Sequence, residues 1–321
     1  MKMRNVQTVN RTGMKSKIAS AGKELWKNKV LFLMLAPAVL HVFLFSYIPM
    51  SGVVIAFKKF NFRDGIFGSP WVGLDNFKFF FTTGKMWLLT KNTILYNLMF
   101  IVLGTIFKIT LAIVITEMCT KKYKRILQSM MMLPHFLSWV IVGGFAYNVL
   151  NYEFGLMNNI LVHFGLERFD VYSNPSAWKF ILPAVNIWKE AGYGVIFYLA
   201  AITGINPELY EAARVDGCGI LQKIRYITLP LIRPTICIML LLSLGGILKG
   251  NMEMFYQLVG NNSTLYNATD VIDTYVYRSL TQLKDYSINS AAGLYQSVIG
   301  FILVVTVNRI TRKLDADSAL F

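Results

Sequence analysis

The sequence predicts an all-α integral membrane protein with about six membrane-spanning helices. Of 321 residues, 55% are hydrophobic and only 15% charged, where a soluble domain carries about a quarter charged residues. The apolar residues gather in runs of about 20, the length a helix needs to cross hydrocarbon. The Lys and Arg residues gather between alternate runs. A lipid core leaves a single chain no way to satisfy its backbone in such runs except as helix.

The elements follow in chain order. Residues 1–29 carry eight Lys/Arg against one acid, Glu24, and read as a basic tail with Trp26 as an interfacial anchor. The spans are then 30–50, 93–118, 129–150, 180–205, 234–248 and 291–307. The fifth is short and is expected to begin before Pro234 or to run past Lys249. Pro37, Pro134 and Pro183 predict kinks that neighbouring helices absorb. Residues 30–314 form one transmembrane domain, and 315–321 a short tail.

Orientation follows from charge. With both termini inside, the inside segments hold 19 Lys/Arg in 81 residues and the outside segments 11 in 113, so the termini are cytoplasmic. Lys58, Lys59 and Arg63 run against this bias. The net charge of +15 and pI near 9.7 are thereby read as membrane topology. No zinc-finger spacing or free basic helix points to nucleic acid.

Cysteine and histidine carry little. Cys119, Cys218 and Cys237 form no CxxC pair and no disulfide framework, and read as small apolar filler. His41, His135 and His163 lack ligand spacing and read as packing or interfacial residues, with no metal site.

The inside segment 206–230 is the most structured of the connections. Asn206 suits an N-cap and Pro207 the first helical position. Glu208 complements the positive end of the helix dipole. Ala212 and Ala213 keep one face low. Gly217 and Gly219 permit a left-handed cap and a sharp turn. A second short helix follows, with Ile220, Ile224 and Ile227 on one side, and Pro230 is expected to end it. This is a helix-turn-helix knob, or else an ordinary amphipathic connection.

Within it, Glu211-Ala212-Ala213, Gly217, Ile227 and Leu229-Pro230 fall at the spacing Glu-Ala-Ala, three residues, Gly, nine residues, Ile, one residue, Leu-Pro. This resembles the coupling-loop signature (the EAA motif) of permease subunits of binding-protein-dependent ABC importers. Trp188-Lys189-Glu190-Ala191-Gly192-Tyr193 and the run from Ile205 to Ala213 resemble the multiple-sugar or polysaccharide branch. The resemblance implies half of a translocation path in a bacterial cell membrane. It also implies a second homologous permease, two ATPase subunits and an extracellular solute-binding protein. ATP and magnesium would belong to the ATPases: this chain binds no cofactor of its own, and Gly84-Lys85 is followed by Met86, so no phosphate-binding loop is formed.

Lys108, Lys189 and Glu190 fall inside spans, where a charge costs about 2.5–3.5 kcal/mol on insertion scales. They therefore face a cavity or a partner. One reading puts Asn186, Trp188, Lys189, Glu190 and Tyr193, with Lys108, along a sugar path. The other has Lys189 or Glu190 paired internally, or the span out of register. Two such cations would also tolerate an acidic sugar. A stand-alone secondary transporter or channel is the competing class, although the inverted repeats common there are not found. No nucleophile–base pair or HExxH supports an enzyme.

Overall fold

The computed structural model describes residues 26–118 and 120–314. The basic tail before Trp26, Cys119 and the segment 315–321 lie outside the described residues. The chain falls into two compact units, residues 1–54 and 55–321.

In the first unit, α1 (Lys29–Val42) runs on through a wide turn at Phe43–Tyr47 into Ile48–Met50. No residue from Lys29 to Met50 is buried. A helix apolar on every side suits a membrane span. Lys29 lies 5.3 Å from the centroid of the Trp26 ring, a pairing suited to the headgroup region.

The second unit is built from α2 (Asp75–Thr82), α3 (Lys85–Met118), α4 (Lys121–Phe136), α5 (Trp139–Leu150), α6 (Leu156–His163), α7 (Pro175–Thr203), α8 (Pro207–Val215), α9 (Ile220–Leu244), α10 (Met252–Val259), α11 (Ile272–Arg278) and α12 (Tyr286–Leu314). Among the described residues the β structure is one isolated bridge, Lys58 to Trp71.

Among the described residues, four helices are long and apolar enough to cross a membrane: Lys29–Phe57, Lys85–Glu117, Ile220–Leu244 and Tyr286–Arg309. A bent pair makes a fifth if counted as one span. The remaining expected span, α7, has 29 residues, ample length at 1.5 Å each. Its apolar run is broken by Asn186, Lys189 and Glu190.

Two expectations change. The stretch 129–150 is not one helix: α4 and α5 meet at a 94° bend. Leu137 and Ser138 are extended there, and Ser138 Oγ caps α5 by accepting from the Ile141 amide at 3.4 Å. Pro230 does not end a helix either. The chain from Ile220 runs without a break into Leu244, and the wide turn at Ile224–Thr228 shifts the bonding register just where proline has no N–H to give.

The core lies in three levels along α3. Met86 and Leu89 pack with Ile272, Ala291 and Ala292 near its start. Tyr96 packs with Trp139, Trp178 and Phe255. Ala112 and Ile115 pack with Val195, Tyr198, Leu199 and Ile232 near its end. Lipid is as apolar as these side chains, so close packing and interhelical hydrogen bonds do the holding. Tyr96 Oη donates to the Ala268 carbonyl at 2.9 Å and Asn97 Nδ2 to the Ile247 carbonyl at 2.9 Å, each worth about 0.6 kcal/mol in such settings.

Candidate functional site

Two constellations stand out, one at the end of α3 and one beside its middle. The first is the knob formed by α8, its turn and the start of α9. Asn206 Oδ1 accepts from the Glu208 amide at 3.1 Å, and its Nδ2 donates to Glu208 Oε2 at 3.0 Å. The first turn of α8 is thereby closed. At the other end Gly217 has φ +75°, with the Cys218 amide donating to the Ala213 carbonyl at 2.9 Å, a left-handed cap of the glycine kind. The Gly219 amide then donates to Gln222 Oε1 at 2.8 Å, which starts α9.

Two polar ties fix the knob. Tyr210 Oη and Thr228 Oγ1 are 3.0 Å apart and join α8 to α9. Lys223 Nζ lies 3.4 Å from Glu117 Oε2 and joins α9 to the end of α3. The tip is left apolar and open: Val215 is 88% exposed, Leu221 81% and Tyr226 69%. Of the residues in the sequence pattern, Glu211, Ala212, Gly217 and Pro230 are exposed, Leu229 is at the edge of exposure, and Ile227 is half-buried. Ala213 departs from the expected low outer face: it is buried against the chain's own interior.

The second constellation gathers at the α4–α5 bend. Lys189 Nζ donates to the His135 carbonyl at 2.9 Å and lies 5.1 Å from the Trp139 ring centroid. Glu190 Oε2 accepts from His135 Nδ1 at 3.1 Å, and Glu190 Oε1 is 3.9 Å from Lys189 Nζ. The His135 and Tyr193 rings stack, with centroids 4.7 Å apart and planes 10° apart. Lys189 is buried, whereas Tyr193 is exposed and His135 and Glu190 are half-open.

The helical phase sorts the expected path residues. Lys189, Glu190 and Tyr193 come together. Lys108 joins them from α3, its stem so close to α7 that a Cβ on Gly194 would sit 2.5 Å from Lys108 Cδ. Asn186 sits a turn away, Nδ2 donating to Met254 Sδ at 3.5 Å. Trp188 points elsewhere and lines an apolar groove with Phe107, Met130 and Pro134. Of the two readings of Lys189, the geometry fits internal pairing, because its ammonium is spent on a backbone carbonyl and a ring. His135, expected to be packing, is the member the sequence does not disclose. It lies 55 positions before Glu190, and no local pattern joins them.

Both constellations lie in a stretch that is similar to known proteins. The profile of a family described as "Binding-protein-dependent transport system inner membrane component" matches residues 108–316, a stretch containing both. The chain belongs to that family. It is a transport subunit, a permease of a binding-protein-dependent ABC importer. The permease is 37% identical over 294 residues to the polygalacturonan/rhamnogalacturonan transport system permease YteP of Bacillus subtilis, covering 92% of this chain and 91% of that one. It is 34% identical to the LplB protein of Bacillus subtilis over 94% and 96% of the two chains. A solved bacterial ABC transporter that imports the acidic polysaccharide alginate contains a chain 37% identical, with TM-score 0.84, over 92% of this permease and 99% of that chain. A second structure shows a bacterial alginate transporter in complex with a periplasmic protein carrying an alginate pentasaccharide, TM-score 0.82. Membership excludes the stand-alone transporter or channel and bears out the all-helical membrane class.

Proposed function

We propose that this permease, one of the sugar and oligosaccharide importers, carries short uronate-containing oligosaccharides and is driven through the α8–α9 knob by separate ATPase subunits. The open apolar tip of the knob carries the coupling half of this reading. Val215 and Leu221 are too exposed for a chain in isolation, and the polar ties to Thr228 and Glu117 hold the tip rigid. A nucleotide-hydrolysing subunit seated on that tip would move α9 directly. ATP and magnesium would be bound there and not by this chain. Glu211, Ala212, Gly217 and Pro230 would form or shape the contact. Ala213, Ile227 and Leu229 would support it from behind.

The Lys/Arg bias supports a cytoplasmic knob and cytoplasmic termini. The Lys85 end of α3 then faces the outside, where the solute-binding protein delivers. A second homologous permease, forming a heterodimer, would supply the other half of the path. On this chain the path would be lined by Glu190, His135 and Tyr193, with Lys108 beside them. Glu190 offers carboxylate oxygens to sugar hydroxyls, and the stacked His135–Tyr193 rings offer a flat face to a sugar ring. Acidic sugars are favoured because the relatives transport polygalacturonan-type polymers and alginate and because Lys108 brings a cation to the cluster.

Uptake into vesicles holding the full complex tests both halves. Trigalacturonate is expected to enter, with its neutral galactose counterpart far behind, and only with the ATPases and ATP. Equal entry of the neutral sugar would refute the substrate class, and entry without the ATPases would refute the coupling.

A further inference from the structure

A pocket of about 360 Å³ opens at the start of α3, the end remote from the knob. With 34 residues in α3, the two ends are about 50 Å apart at 1.5 Å per residue. The pocket is lined by Lys85, Ser263, Tyr266, Asn267, Tyr275 and Arg278, among others. Neither constellation described above contributes to it.

Its charges are unequal. Arg278 is committed: its two terminal nitrogens bond Asp270 at 2.5 and 3.2 Å, and its guanidinium lies 4.0 Å from the Tyr266 ring centroid. Thr274 Oγ1 donates to the same carboxylate at 2.6 Å. Asp270 is thus fully engaged and cancels one positive charge. Lys85 remains. It is exposed, 5.8 Å from the Tyr275 ring centroid, and among the described residues no carboxylate lies within ion-pair distance. A walled pocket with one uncompensated ammonium, phenol rings, an amide and a hydroxyl is suited to a small polar anion with a ring.

We propose that this pocket holds one carboxylate-bearing sugar unit of the incoming oligosaccharide, with Lys85 at the carboxylate and Ser263, Asn267 and Tyr266 at the hydroxyls. This rests on the substrate class proposed above. Its size falls at the small end of ligand pockets, which run roughly 300–1,000 Å³, and suits one or two rings. A protein partner would instead need a broad patch of about 800 Å² per side. The site would receive the end of the chain before it reaches Glu190 and Lys108.

The test uses the assembled importer in lipid nanodiscs without its binding protein, titrated with trigalacturonate and with the neutral galactose trimer. Lys85→Gln is expected to weaken trigalacturonate about tenfold, the scale of one charge-assisted hydrogen bond. Lys85→Arg should keep affinity, and the neutral trimer should be unaffected by either change. Unchanged trigalacturonate affinity in Lys85→Gln overturns the proposal. In a parallel titration of the same nanodiscs with the binding protein, a Lys85→Gln loss confined to binding-protein affinity also overturns it, since the pocket would then be a protein-docking feature. Failure of trigalacturonate uptake by the wild type would remove the substrate class and this site with it. Normal uptake with unaltered binding in Lys85→Gln removes this site alone.

Discussion

The Lys189 ammonium sits 2.9 Å from the His135 carbonyl oxygen and so caps the last turn of α4 where the chain bends by 94°. A helix end inside a membrane has carbonyls without partners. Here a side chain from another helix, 54 positions away, supplies one. Lys189→Met should therefore cost about 1–3 kcal/mol, the usual penalty for orphaning a buried polar group. Thermal unfolding of the purified complex would read this as a lower midpoint. Lys189→Arg should recover part of the loss, whereas an unchanged midpoint in Lys189→Met would show that the bend needs no such cap.

Close packing of α7 on α4 gives a second expectation. A Cβ on Gly192 would overlap the Met131 carbonyl oxygen, and backbone cannot give way as a flexible side chain can. Gly192→Leu should force the helices apart at a cost of about 1–3 kcal/mol or more. The readout is the amount of assembled complex recovered from membranes. Wild-type recovery would contradict so close a crossing.

At the knob the constraint is of another kind. Gly217 has φ +75°, yet nothing lies within 4 Å of where its Cβ would stand, so only the backbone conformation resists substitution. Ala and the unbranched Gln should impair ATP-coupled uptake alike, each carrying about 1–2 kcal/mol of left-handed strain. Asn, which tolerates that region, should retain most activity. Graded loss with side-chain size would point to a clash instead.

Glu211 is exposed, so Glu211→Lys should change stability by no more than about 0.5 kcal/mol. Uptake should nonetheless collapse, with the chain still inserted. Transport at wild-type rate with normal stimulation of ATP hydrolysis would count against a role for this face.

Asp273 provides a pH test. Burial pushes its carboxyl above the ordinary 3.8, although the Gly250 amide at 2.6 Å and Gln296 pull the other way. A carboxyl raised in the folded state adds stability below its unfolded pKa and loses it as pH rises through the folded one. Asp273→Asn should remove this decline, since its amide oxygen still accepts from Gly250. Parallel stability–pH curves for the two proteins would refute it.

Much of this is legible in the sequence, and the exceptions have specific causes. The knob is readable because caps and turns are local: Asn206, Pro207, Gly217 and Gly219 act within a few residues of themselves. The long spans are readable from composition. The bend after Phe136 is only hinted at by Pro134, because what supports it, Lys189, comes from a distant helix. Adjacency groups Trp188 with Lys189 and Glu190, yet neighbours in a helix are about 100° apart, and Trp188 faces another way. The partnership of His135 with Glu190 and Tyr193 exists only in three dimensions.

One further consequence lies in the unbroken run from Ile220 to Leu244. The exposed tip and the portion within lipid belong to one helical segment, so a displaced tip would carry the segment with it as a lever and not as a tether. At 25 residues it is about 37 Å long, and a tilt of about 10° at one end sweeps the other through about 6 Å. On the coupling proposed above, a displacement at Leu221 would be passed along the whole segment and not lost in a loop.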